Sequence, residues 1–243
     1  MVATQEKAIG LPPSFTVTWD SLPKDYPLPE EPVENTGQPL LAGALRESLE
    51  LAERISTTQL IASNLGICAT VNGELTLKAP DWLFVPQVHP LAAGSDRKSY
   101  TPHREGQVPS IVMEFLSETD GGEYSHRRIP PIGKWFFYEQ VLKVLTYIIF
   151  EPEGGLLEVY RHQGEQYQLE QPNPEGWHWF AELGLFLGTW RGEKEGRSGY
   201  WLRWWDEAET RLPWAVELME QERQRAERLA DYLRSQGINP DDL

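Results

Sequence analysis

Two carboxylates and one lysine stand out because each acid accompanies a run of residues that is otherwise apolar. Asp81 precedes the run 82–85, and Glu114 lies inside the run 111–116. Burying an unpaired charge is costly, so each acid needs a partner in the folded protein. If both acids meet Lys134, the carboxylates could bind a hard divalent cation while the ammonium stabilises developing negative charge. The alternative is that the acids form structural ion pairs and that the lysine lies on a helix surface.

The elements expected to position these residues are two strands and a helix. The runs 82–85 and 111–116 are almost continuously apolar, which predicts strands that are covered on both faces. Over residues 132–145 the apolar side chains recur at helical spacing. Lys134 and Tyr138 therefore lie about one turn apart on neighbouring positions of one helix face.

The rest of the pattern predicts an α/β fold, with a central mixed sheet flanked by helices and a charged C-terminal helix. Asn72-Gly73 between two apolar runs is a strong hairpin signal. The other predicted elements are a helix at 39–55, a strand within 60–71, a strand at 147–150, and a hairpin formed by 156–160 and 166–169.

The charge balance limits the classes of partner. The formal net charge is -15, from 37 acids against 22 Lys and Arg, which argues against a broad surface for nucleic acid or anionic lipid. It does not exclude a local basic cleft. The polar segment 86–109 predicts a long surface loop, and its basic cluster is the best candidate for phosphate contacts. This cluster consists of Arg97, Lys98, His103 and Arg104.

The sequence also predicts a soluble, cytoplasmic protein. Its single cysteine, Cys68, lies in an apolar run, so no intrachain disulfide forms and a reducing compartment fits. The N-terminus lacks the features of a signal peptide, and no uncharged apolar run reaches about 18 residues. No contact with a membrane is expected.

The chain is expected to divide into three parts. Residues 1–38 hold six prolines and predict an arm over the body, residues 39–212 predict the core domain, and residues 213–243 predict a highly charged helix. The narrow apolar stripe on that helix is typical of a coiled coil or a partner-docking tail, and favours a homodimer. Packing of the same helix on its own domain is the alternative.

Four short motifs support a family assignment. They are Pro80-Asp81, Glu114-Phe115-Leu116-Ser117, Lys134 followed four residues later by Tyr138, and the strand 147–152. Together they resemble the Uma-type restriction endonuclease family, a branch of the PD-(D/E)XK nuclease superfamily. The resemblance runs from about residue 21 to the charged C-terminal helix, and so covers most of the chain.

This resemblance implies a restriction-endonuclease-like fold and a Mg²⁺-dependent (or Mn²⁺-dependent) DNA endonuclease. Asp81 and Glu114 would bind the metal, and Lys134 would orient the attacking water or stabilise the phosphate. In the superfamily's usual motif the lysine lies two residues after the second acid, where this chain has Leu116. Lys134 would reach in from the following helix, as in the Uma-type branch. Glu34 is the first candidate for a further acid, although a charged residue near a helix start explains it equally well.

A second function remains open. A nuclease-like fold that has lost activity could serve as an interaction module through its C-terminal helix. The absence of a strand lysine at Leu116, the acidic net charge and the coiled-coil-like tail all favour this alternative.

Overall fold

The computed structural model describes residues 15–20, 36–92, 94–117 and 122–239. The elements in these ranges are, in chain order, β1 (Val17–Thr18), α1 (Gly37–Leu51), β2 (Leu60–Ala62), β3 (Ile67–Val71), β4 (Glu74–Lys78), β5 (Trp82–Val85), β6 (Ile111–Phe115), α2 (Lys134–Phe136), β7 (Thr146–Glu151), β8 (Leu156–Gln163), β9 (Gln166–Leu169), β10 (His178–Phe180), β11 (Leu185–Lys194), β12 (Arg197–Trp205) and α3 (Ala215–Ser235). After α2 the chain continues as a π-helix over Phe137–Leu142.

A six-stranded sheet of order β2-β5-β6-β7-β8-β9 forms the centre of the protein. Strands β6 and β7 are parallel, whereas the other neighbouring pairs in this sheet are antiparallel. A parallel pair needs a long crossover connection, and the segment that contains α2 supplies it. The mixed sheet with its flanking helices confirms the predicted fold class.

Both faces of the central strands are covered. Trp82 and Met113 belong to a core that includes α1 and strands β10 to β12. Leu83 and Val112, which point the other way, belong to a second core that includes α2 and the π-helix. This alternation explains why the runs that form β5 and β6 are apolar at successive positions, and it confirms the predicted double cover.

Helix α1 follows from the apolar spacing seen in the sequence. It begins at Gly37, two residues before the predicted start, and ends at Leu51 rather than Ile55. Pro39 lies in the first turn, where a backbone N–H has no partner within the helix. The face turned to the core is mainly apolar, and its buried residues are Leu41, Ala42, Ala44, Leu45, Ser48 and Leu49.

The predicted Asn72-Gly73 hairpin is confirmed, because β3 and β4 pair across these two residues, whose φ angles are 52° and 82°.

The stretch 60–71, however, contains two strands instead of one. Strand β2 lies in the central sheet, and β3 lies in a three-stranded sheet of order β1-β3-β4. Between them Asn64 adopts a φ of 50° and its N–H donates to the Pro80 carbonyl at 3.0 Å. Asparagine tolerates this left-handed conformation, so the chain changes sheets there.

The C-terminal part consists of an antiparallel sheet of order β10-β11-β12 followed by α3. The predicted charged helix is thus present, and no residue of α3 is buried.

The division into arm, core and C-terminal helix stays a prediction, and much of the arm lies outside the described residues. No helix in the described ranges is both long enough and apolar enough to cross a membrane.

Candidate active site

Asp81 and Glu114 come together because β5 and β6 are antiparallel neighbours. Trp82 pairs with Met113, so one further step in the register brings Asp81 beside Glu114. Asp81 Oδ2 accepts a hydrogen bond from the backbone N–H of Phe115 at 2.5 Å. The two acids that the sequence singled out therefore lie at the same end of two adjacent central strands.

Glu114 lies in the interior, with 1% of its surface exposed. Its two carboxylate oxygens accept hydrogen bonds from different donors. The Tyr138 hydroxyl donates to Oε1 at 2.9 Å, and the Lys134 ammonium donates to Oε2 at 3.2 Å. The expectation that a buried acid needs a partner is met here by two residues of one helical segment.

Lys134 and Tyr138 are positioned by the start of α2. Gly133 precedes the helix in an extended conformation, and its N–H donates to the Arg127 carbonyl at 2.8 Å. The side chains at 134 and 138 follow one another by one turn, and both reach Glu114. The structure thus brings Lys134 to the second acid from the helix, whereas Leu116 lies in the place of the usual strand lysine and is only partly buried.

Glu123 is a site residue that the sequence reasoning missed. Its Oε1 lies 3.2 Å from Lys134 Nζ, and 7% of the residue is exposed. The backbone carbonyl of Glu123 accepts a hydrogen bond from the Tyr147 hydroxyl at 3.0 Å, which ties this end of the loop to β7. The available signal was its place in the sequence between the second acid and the lysine. Lys134 therefore bridges two buried carboxylates.

The pKa values follow from burial and from this charge arrangement. Burial raises the pKa of Glu114 to about 8, and although Lys134 opposes this effect, the negative charge of Asp81 adds to it. Burial would lower the pKa of Lys134, but the charges of Glu114 and Glu123 outweigh it and hold this pKa above the ordinary lysine value. Lys134 is consequently protonated near neutral pH, and can act as a cation but not as a base.

The donor set is suited to a divalent cation. Asp81 and Glu114 supply carboxylate oxygens, and Mg²⁺ is usually bound through one or two carboxylates while it keeps several waters. Within the described ranges, no group of three or more His, Cys, Asp or Glu residues could hold a metal ion. A cation held here would depend on the two carboxylates of Asp81 and Glu114, with water or substrate completing its shell.

The basic residues are used in different ways. Arg97, from the proposed phosphate patch, pairs with Glu105 at 2.6 Å, and its side chain is only 8% exposed. Arg104 donates to the Trp19 carbonyl at 3.2 Å, so it too has a structural contact. Arg127 and Arg128 are exposed in the segment that leads to α2. Arg127 donates to the Pro130 carbonyl at 2.7 Å, and the Arg128 guanidinium lies over the Phe136 ring. Glu34, the candidate for a further acid, lies outside the described residues.

The sequence model of a known family matches residues 28–193 and carries the description Uma2, putative restriction endonuclease. The chain belongs to the Uma2 family. The match covers more than half of the chain and includes Asp81, Glu114 and Lys134, so the suspected family is confirmed. The comparison with curated proteins gives no match.

Proposed function

We propose that this Uma2 protein is a Mg²⁺-dependent (or Mn²⁺-dependent) DNA endonuclease that hydrolyses phosphodiester bonds. One observation carries the proposal. Asp81, Glu114 and Lys134 are far apart in the sequence, yet Lys134 Nζ lies 3.2 Å from Glu114 Oε2 at the strand end that also holds Asp81. Membership of a family with the description "putative restriction endonuclease" supports the same reaction class.

The proposed metal ligands are Asp81 and Glu114. A divalent cation bound there would neutralise charge on the phosphate and make a bound water acidic enough to ionise near neutral pH. Such a cation would offset the charges of Asp81 and Glu123, and that of Glu114 once it ionises, because Lys134 is the single base among the described residues of this cluster. Without it, the phosphate backbone would approach an excess of negative charge.

The proposed role of Lys134 is electrostatic. Its pKa is held high by two carboxylates, so its ammonium carries protons that it can donate as hydrogen bonds. In phosphodiester hydrolysis a water oxygen bonds to phosphorus while the bond to the leaving oxygen breaks. Lys134 would donate to a non-bridging phosphate oxygen, or to the attacking water, and would stabilise the charge that develops.

Tyr138 and Glu123 would act as positioning residues. The Tyr138 hydroxyl holds Glu114 Oε1 at 2.9 Å, which fixes the direction of the second carboxylate. Glu123 accepts a second hydrogen bond from the ammonium of Lys134, at 3.2 Å, and so competes with Glu114 for its protons. When a phosphate arrives, Lys134 can exchange one carboxylate contact for the new oxygen and keep the other.

DNA is the proposed substrate despite the net charge of -15. Exposed Arg127 and Arg128 lie close to α2, because the N–H of Gly133 is bonded to the Arg127 carbonyl. They would contact phosphates that flank the scissile bond. Phosphate contacts of this kind orient the duplex but carry no sequence information.

The test is a cleavage assay with the full chain and varied DNA substrates, in Mg²⁺ and in Mn²⁺. Asp81→Asn is the sharpest variant, because the amide oxygen can still accept from the Phe115 N–H while the negative charge is lost. Asp81→Ala removes both the hydrogen-bond acceptor and the negative charge. We expect cleavage by the wild type and a loss of at least about 100-fold in both variants. The exposed Glu207→Gln should cleave as the wild type does. If the wild type cuts nothing, or the Asp81 variants cut equally well, the proposal fails.

The alternative function is that of a catalytically inactive nuclease-like protein that acts as an interaction module through its C-terminal helix. The observation that favours it is the exposure of α3, which has no buried residue. Calorimetry separates the two functions, since the nuclease must bind Mg²⁺ or Mn²⁺ through Asp81 and Glu114. Absence of Mg²⁺ or Mn²⁺ binding, together with a dimer that depends on residues 213–243, would favour the interaction module.

A homodimer is the proposed assembly, and the stripe on α3 supports it. A cytoplasmic location is also proposed, since Cys68 is buried and unpaired, as a reducing compartment allows.

A further inference from the structure

Helix α3 presents an apolar stripe to solvent. Met219 is 73% exposed and Leu229 is 58% exposed, which is unusual for large apolar side chains on one helix. The stripe follows alternating steps of four and three residues, and its members are Ala215, Met219, Glu222, Ala226, Leu229 and Leu233. This spacing is that of the core positions of a coiled coil. One acid, Glu222, interrupts the stripe, and Arg225 lies 3.6 Å from it.

Among the described residues, polar contacts hold α3 to the rest of the chain at its beginning. The N–H of Ala215 donates to Glu47 at 2.9 Å, and buried Arg203 pairs with Glu217 at 2.6 Å. Beyond this anchor every residue from Met219 to Leu229 is exposed. A helix of 21 residues extends for about 30 Å, so most of its length is available to a partner.

The charges along α3 indicate which partner fits. From Ala215 to Glu222 the helix carries three acids and no base, whereas from Arg223 to Ser235 it carries four arginines and two acids. A parallel pair of such helices would set the acidic ends side by side. An antiparallel pair sets each acidic end against a basic end, and also aligns the helix dipoles favourably.

We infer that α3 docks on α3 of a second copy of this chain, in antiparallel orientation. With the two-fold axis near Ala226, the small side chains meet at the crossing point and Met219 lies opposite the partner's Leu233. The ion pairs within α3, such as that between Arg223 and Glu220, are exposed and contribute little, so they can rearrange when the second helix arrives. This inference rests on the homodimer proposed above and not on catalysis, and its tests measure assembly alone.

The first test is the mass of the full chain in solution, measured by light scattering during size-exclusion chromatography over a range of concentrations. The wild type should have the mass of two chains. The double variant Met219→Glu with Leu229→Glu should have half that mass, with unchanged tryptophan fluorescence. Gln224→Glu is the matched control, because it adds the same side chain on the opposite face of α3, and it should remain dimeric. A monomeric wild type, a dimeric double variant or a monomeric control would each overturn the inference.

The second test addresses orientation by cysteine cross-linking. The native Cys68 is buried, so a cysteine placed on α3 is the reactive one. Met219→Cys alone should not cross-link, whereas a mixture of Met219→Cys and Leu233→Cys chains should form a disulfide-linked pair on oxidation. Efficient cross-linking of Met219→Cys to itself would show a parallel pair and refute the antiparallel arrangement. Failure of the mixed pair to cross-link would refute it as well.

Discussion

The buried carboxyl of Glu114 makes the stability of this protein depend on pH in a defined window. The pKa of this group is 4.5 in an ordinary environment and rises to about 8 in the folded protein, chiefly because of burial. Between these values the folded protein keeps a proton that the unfolded chain has released. The free energy of unfolding must therefore fall as the pH rises through the window. At about 1.4 kcal/mol for each pKa unit, the full effect has an upper limit of about 5 kcal/mol.

Glu114→Gln is the perturbation that isolates this effect. Glutamine has nearly the same shape, can still accept a hydrogen bond from Lys134 or Tyr138, and does not titrate. The unfolding free energies of wild type and variant should be measured by urea denaturation, in metal-free buffers from below pH 4.5 to above pH 8. The wild type should lose stability relative to the variant as the pH rises, and the difference should level off above pH 8. The exposed Glu207→Gln should show the pH dependence of the wild type.

Parallel stability curves for wild type and Glu114→Gln would refute this reasoning. They would mean that Glu114 is ionised in the folded protein throughout the window, and that Lys134 and Tyr138 together offset its burial. A relative gain in wild-type stability with rising pH would refute it more strongly, because the folded-state pKa would then lie below the ordinary value.

Three further predictions concern single residues. Glu123→Gln leaves Lys134 with one carboxylate, so the pKa of Lys134 should fall in an NMR titration. DNA cleavage should slow by about 10-fold to 100-fold, as expected for a supporting residue. An unchanged pKa of Lys134 would contradict the positioning role of Glu123. Arg203→Met should lower the unfolding free energy by about 1–3 kcal/mol in urea titrations, because the buried guanidinium donates to Glu217 and to the Leu212 carbonyl. An unchanged unfolding free energy would show that this pair does not hold α3. Gly133→Ala would press a Cβ against the Ser125 backbone carbonyl, so about 1–3 kcal/mol of stability should be lost. Thermal unfolding at the wild-type temperature would contradict the close approach.

Much of the fold could be predicted from local sequence. The hairpin at Asn72-Gly73 depends on two adjacent residues that adopt positive φ, and α1 depends on apolar spacing within one segment. The order of strands in the central sheet does not follow from local sequence in this way. The sequence predicts one strand in the stretch 60–71, but β2 and β3 belong to two different sheets. The chain passes from one sheet to the other at Asn64, whose N–H donates to the Pro80 carbonyl. A partner that is distant in sequence decides that arrangement.

The candidate site also has one part that the sequence predicts and one part that only the tertiary structure shows. The sequence alone singled out Asp81 and Glu114, because a lone carboxylate beside apolar strand residues has a burial cost that demands a partner. It also placed Lys134 and Tyr138 one turn apart on a helix. Only the tertiary structure decided that both of these side chains reach Glu114, and that Glu123 also pairs with the Lys134 ammonium. The physical reason is that composition and spacing determine which groups must be paired, whereas the packing of loops and helices on the sheet determines which groups meet.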